Sequence, residues 1–256
     1  MRVLLLLFCI GLVQSCGVTA AEPNQSADAN SIDAILCSLN NATSSLKSYQ
    51  CQIEYRFSQP ILESQSIRTG EMYYQKSGKR SNLRINFLTL KQDEEKPQQY
   101  IGQYFFDSVL LTVIDYQIKE VKRYELADAN NPADALELAA NNFPIIGFGS
   151  TQDLKEDFEI SLLPRQPDKE YLIGLHLKVK SDSRFKDKYS SVDFWIDRKL
   201  NLPAKIITNS TEGDIYEINL IQPQVNKPID KKIFELKIPK GFGKPEIIPM
   251  EKGDRK

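Results

Sequence analysis

Apolar and polar side chains alternate with a period of two through most of this chain. That pattern dictates β-strands with one buried face and one wet face. Cys51, Ile53, Tyr55 and Phe57 alternate with Gln50, Gln52, Glu54 and Arg56. Leu83, Ile85 and Phe87 alternate with Arg84 and Asn86, and Tyr171, Ile173, Leu175, Leu177 and Val179 form the cleanest run. Further strands are expected near 68–76 (Met72, Tyr73, Tyr74), 99–106 (with Tyr104 and Phe106), 109–115 and 117–126. Others follow near 158–162, 192–196, 203–209, 216–220 and, last and short, 234–238 (Phe234, Leu236, Ile238). Turns at 76–80 and 197–201 and a charged loop at 92–97 join neighbours directly, which makes the sheet antiparallel. About ten or eleven strands with a single apolar face cannot stay flat without leaving that face bare. The expected class is mainly β with a minor α part. Its architecture is a curled antiparallel sheet, an incomplete β-barrel plugged or lidded by helices.

Two segments carry helical spacing instead. Ile32, Ile35, Leu36, Leu39 and Leu46 predict a helix over 31–47, capped by Asn30 or Ser31. Asn131 and Pro132 read as the cap and first turn of a second helix over 132–141. It is followed by the apolar, glycine-bearing stretch 143–149, which would be an odd patch if exposed. With Leu136, its residues Phe143, Ile145, Ile146 and Phe148 are the expected lid.

The first residues point to export. Met1-Arg2 precedes an uninterrupted apolar run from Val3 to Val13, too short to span a bilayer in the mature protein. Small residues at Ala20 and Ala21 suit ordinary signal cleavage, giving a signal over 1–21. Leu12 to Gly17 also resembles a lipobox, in which Cys16 is acylated and becomes the first residue. Residues 22–30 read as a polar tether, and 244–256 as a polar tail. Cys37 and Cys51 then remain as a pair in an oxidising space. Bridged, they would close a loop of about fifteen residues, worth about 3 kcal/mol. Left apart, they are two small buried thiols.

Little in the chain supports catalysis. The one histidine, His176, falls on the polar face of its strand. No phosphate loop, zinc pattern or nucleophile elbow is present, so no cofactor, metal or catalytic residue is expected. With 33 basic and 34 acidic residues the net charge is −1, which gives no pull toward nucleic acid.

Several landmarks then occur in order. They are Tyr55-Arg56-Phe57, Gly70 to Lys76, Leu83-Arg84-Ile85, Tyr104 to Ser108, and Val121 to Tyr124. Val192 to Asp197, Leu202-Pro203 to Ile207, Asn226 to Asp230, and Ile233-Phe234 to Pro239-Lys240-Gly241 complete the series. Over 31–243 the chain resembles the outer-membrane lipoprotein carrier and receptor superfamily, the LolA/LolB-like fold. The resemblance implies an unclosed barrel whose hollow shelters lipoprotein acyl chains beneath a helical lid. In the carriers an arginine-proline step after the second strand helps hold that lid, whereas this chain reads Gln75-Lys76-Ser77-Gly78 there.

The expectation is a non-enzymatic protein of the cell envelope that binds acyl chains of a lipid or lipoprotein. Membrane contact would come only through cargo or an acylated Cys16. The cavity would be lined by Ile53, Tyr55, Phe57, Met72, Tyr74, Leu83, Ile85, Phe87, Tyr104 and Phe106. The alternative is a periplasmic sensor or scaffold that binds another envelope protein and uses no lipid cavity.

Overall fold

A computed structural model describes residues 31–137 and 151–249. Helix α1 (Ile32–Ser44) opens the described chain, with the Ser31 side chain accepting from the Ala34 N–H at 3.2 Å. Six strands follow as a meander: β1 (Ser48–Gln59), β2 (Ser64–Ser77), β3 (Arg80–Gln92), β4 (Gln98–Phe106), β5 (Leu110–Asp115) and β6 (Glu120–Glu125). After α2 (Thr151–Asp157) come β7 (Phe158–Leu162), β8 (Leu172–Val179), β9 (Tyr189–Asp197), β10 (Leu202–Ser210) and β11 (Ile215–Val225). The short β12 (Glu246–Ile248) is the last element.

These strands form one 12-stranded sheet in the order β12-β6-β5-β4-β3-β2-β1-β11-β10-β9-β8-β7. The first and last long strands meet at its centre, where β1 pairs antiparallel with β11. Its two edges, β12 and β7, do not pair, so the barrel is unclosed. This is the curled, incomplete barrel that the alternation demands. Its concave face holds the core: Tyr49, Ile53, Met72, Leu83, Phe106, Leu175, Phe194 and Ile206 are each at most 2% exposed. Ile35, Leu36 and Leu39 of α1 join the same cluster.

The structure corrects the reading of the last segment. Residues 234–238 are not a strand. The chain leaves β11 and crosses the convex face as a strap through a 3-10 turn, Lys231–Phe234. Its carbonyls are taken by a side chain: Arg84 Nη1 donates to the oxygens of Ile233 at 2.6 Å and Glu235 at 3.1 Å. Beyond it, Phe242 meets the Tyr116 ring edge-on at 5.2 Å. The strap ends in β12, which pairs parallel with β6, so the expected polar tail begins with a strand. Phe105, Ile114, Val121 and Ile229 are buried outside the main cluster, a thin second layer that includes Ile229 of the strap.

Other boundaries also move. The helix expected over 132–141 begins only at 135, because Asp134 rather than Asn131 supplies the cap, its Oδ1 accepting from Leu136 N–H at 3.0 Å. The strand expected over 117–126 starts at Glu120, since Asp115 Oδ1 accepts from the backbone of Gln117 and Ile118 and holds a turn there. Tyr171, 59% exposed, precedes β8 instead of starting its inward row. Helix α2 was not expected. Residues 1–30, with the signal, Cys16 and the tether, lie outside the described residues.

Candidate functional site

The concave face has two ends, and they differ in content. At one end β1 and β3 begin and β2 and β4 finish. Tyr49, Met72, Tyr74, Leu83 and Phe106 are buried there in the same cluster as Leu39, Ala135 and Leu136. Polar contacts tie this plug down. Ser81 Oγ accepts from Ala135 N–H at 2.7 Å, and Ser108 Oγ both accepts from Ser81 N–H and donates to Ser81 O at 2.7 Å. Asp134 Oδ2 accepts from the Tyr74 hydroxyl at 2.8 Å and pairs with Lys76 Nζ at 3.0 Å. Lys76 and Tyr74 thus tie β2 to the segment that follows β6.

At the other end a cavity of about 190 Å³ remains. Ile53, Tyr55, Phe57, Ile85, Phe87 and Tyr104, all expected from alternation, line it. Met72, Tyr74, Leu83 and Phe106 share the face but sit under the plug, out of the cavity. Of the expected lid, Leu136 is buried in the plug, while Phe143, Ile145, Ile146 and Phe148 lie outside the described residues.

Ile218, Ser66 and Arg68 complete the lining. Ile218 belongs to a row the alternation identifies. Ser66 and Arg68 were missed because polar residues at inward positions do not read as strand. The signal was parity: counting back by twos from Tyr74 and Met72 reaches Gly70, Arg68 and Ser66.

The cavity is graded in polarity. Its floor is Ile53, Ile85, Ile218 and Phe87, none more than 7% exposed. Its mouth is half-buried Tyr55, Phe57, Ser66, Arg68 and Tyr104. Rings stiffen the wall: Phe87 meets Tyr104 edge-on at 5.9 Å and Tyr55 at 6.2 Å, and Phe57 stacks on Tyr216 at 5.1 Å. Burial pushes the Tyr55 hydroxyl up to about 12, with Tyr216 adding and the Arg68 charge opposing. It is a neutral donor at physiological pH. The Arg68 guanidinium lies 5.3 Å from the centroid of the Tyr100 ring.

Elsewhere the chemistry is quiet. His176 Nδ1 lies 2.6 Å from Asp193 Oδ1 on the convex face, opposite the buried Leu175 and Leu177. Among the described residues no three His, Cys, Asp or Glu side chains gather to hold a metal. The bridge between Cys37 and Cys51 is not formed. Cys37 points to solvent from α1, whereas Cys51 is buried on β1, and burial pushes its thiol up to about 12.

These features define a class among the described residues: a half-barrel fold with a plugged end and an open one. Among solved structures, MucB matches with TM-score 0.50 at 14% identity, over 81% of this chain and 64% of that one. A conserved protein from Thermus thermophilus matches with TM-score 0.47 at 8% identity, over 85% of this chain and 98% of that one. A LolA superfamily protein from Nitrosomonas europaea matches with TM-score 0.32 at 13% identity, over 80% and 97%. No protein-family model and no curated protein matches the sequence. At 14% identity the likeness to MucB is one of fold alone.

Proposed function

We propose that this chain is an exported, non-enzymatic protein of the cell envelope that shelters an apolar group of a lipid or lipoprotein in its half-barrel. The observation that carries this reading is the open end of the concave face, where Ile53, Ile85, Phe87 and Ile218 form a floor that, among the described residues, no plug covers. A dry cavity of roughly 150 Å³ admits benzene. At about 190 Å³ this one takes the end of a single acyl chain. Sheltering about four methylenes there would gain about 3 kcal/mol over leaving them in water.

The test is native mass spectrometry of the purified exported protein before and after delipidation, with titration of a fluorescent acyl probe. The expected result is a bound lipid mass, probe binding, and loss of probe binding in Ser66→Trp, which blocks the mouth. No bound lipid and no probe binding would refute the reading. The same spectra report the mature N-terminus. A start near residue 21 or 22 makes the protein a soluble carrier, and an acylated Cys16 makes it a tethered receptor. Among the described residues no helix is long and apolar enough to cross a membrane.

A second reading, a scaffold for another envelope protein, draws on the free edge of β7, where Leu162 is 49% exposed. MucB is seen in complex with MucA. Under this reading Ser66→Trp leaves the physiological role intact.

A further inference from the structure

Arg68 stands at an inward position in a cavity whose other lining residues, Ser66 apart, are apolar or aromatic. Across the strands its register partners are Tyr55 on β1 and Leu90 on β3, neither of them acidic. Among the described residues it forms no ion pair, and its guanidinium lies over the Tyr100 ring. Lys205, by contrast, is matched by Glu217 at 2.9 Å and Lys76 by Asp134 at 3.0 Å. A half-buried guanidinium without a counter-ion is costly unless a ligand supplies the charge. Its planar fork suits a carboxylate or phosphate, which can take two parallel hydrogen bonds.

The placement adds direction. An apolar tail reaching the Ile53, Ile85 and Ile218 floor would leave its head at the mouth, beside Arg68, the Ser66 hydroxyl and the Tyr55 hydroxyl. These are donors, and none of them carries negative charge at neutral pH. The volume admits one chain end, not several.

We infer that the cavity binds a single-chain anionic amphiphile, tail inward, with its head group on Arg68. This rests on the acyl-shelter reading and names its ligand class. The full-length exported protein is titrated with dodecanoate, dodecyl phosphate, dodecanol and dodecyltrimethylammonium, each read by displacement of the uncharged acyl probe.

The wild type is expected to bind one or both anions at least roughly tenfold tighter than dodecanol, and the cation weakest. Arg68→Gln should remove that preference and leave dodecanol affinity within about twofold. Arg68→Lys should restore part of it, which a merely structural arginine would not do. The tighter of the two anions names the head group. Equal affinity for dodecanoate, dodecyl phosphate and dodecanol in the wild type overturns the inference while the shelter reading stands. An anion preference unchanged in Arg68→Gln also overturns it. Binding of none of the four, with no probe binding, overturns the shelter reading itself.

Discussion

At the scale of single residues, Gly70 shows how closely the sheet is fitted. The β2–β3 register shifts between Thr69 and Gly70, leaving Leu88 as an extra residue on β3. A Cβ built on Gly70 would lie 1.9 Å from the backbone oxygen of Asn86. Backbone cannot rotate aside as a side chain can, so Gly70→Ala has to separate two central strands. A loss of about 2–3 kcal/mol in urea unfolding is expected, larger than an ordinary surface change. A midpoint equal to the wild type would show that the bulge relaxes freely. The sequence contains the glycine, but its reason is an approach between strands that no local pattern displays.

At the scale of elements, the strap is the informative case. Phe234, Leu236 and Ile238 alternate as a strand would, yet the segment crosses strands instead of pairing with them. Alternation reports which side chains are apolar; it says nothing about what accepts the backbone hydrogen bonds. Here Arg84 does that work from the convex side of β3, and it is held there by Asn86 Oδ1 at 2.9 Å and Gln103 Oε1 at 3.0 Å. Arg84→Ala should free the strap. Hydrogen exchange is expected to rise across 231–249 while β1 stays protected, with about 1–3 kcal/mol lost overall. Unchanged exchange in the strap would mean that β12 and Phe242 hold it without the arginine. The plugged end follows the same logic, since the tie through Asp134, Tyr74 and Lys76 joins residues far apart in sequence.

At the scale of the molecule, the halves of the chain meet where β1 pairs with β11, and a charged cluster lies on the convex side of that seam. Glu217 faces Arg56 across it, pairs with Lys205 at 2.9 Å and accepts from Asn219 Nδ2 at 2.9 Å. Burial raises the Glu217 carboxyl, but the bonds from Asn219 and Lys205 outweigh it and the net shift is downward from 4.5. A carboxyl held lower in the folded state favours folding once it is ionised. That contribution is present above about pH 4.5 and fades as pH falls through the lower folded value. The wild type should therefore lose more stability than Glu217→Gln between about pH 5 and pH 3 in denaturant titrations. Parallel pH slopes would remove Glu217 from the acid response.

The face that each strand buries was legible in the chain before any folding. Period-two alternation follows from backbone geometry, so Ile53, Tyr55, Phe57, Ile85, Phe87 and Tyr104 could be assigned to one concave surface, and a sheet of that length had to curl. Position along the strand was not legible. Met72, Tyr74, Leu83 and Phe106 have the same alternation as the cavity residues yet lie beneath the plug. Among the described residues, the docking of α1 and of Ala135 and Leu136 settled which end fills and which stays open. Tertiary packing likewise set Arg68 against an apolar floor, because burial depends on what packs above a residue, and a local period carries no record of that.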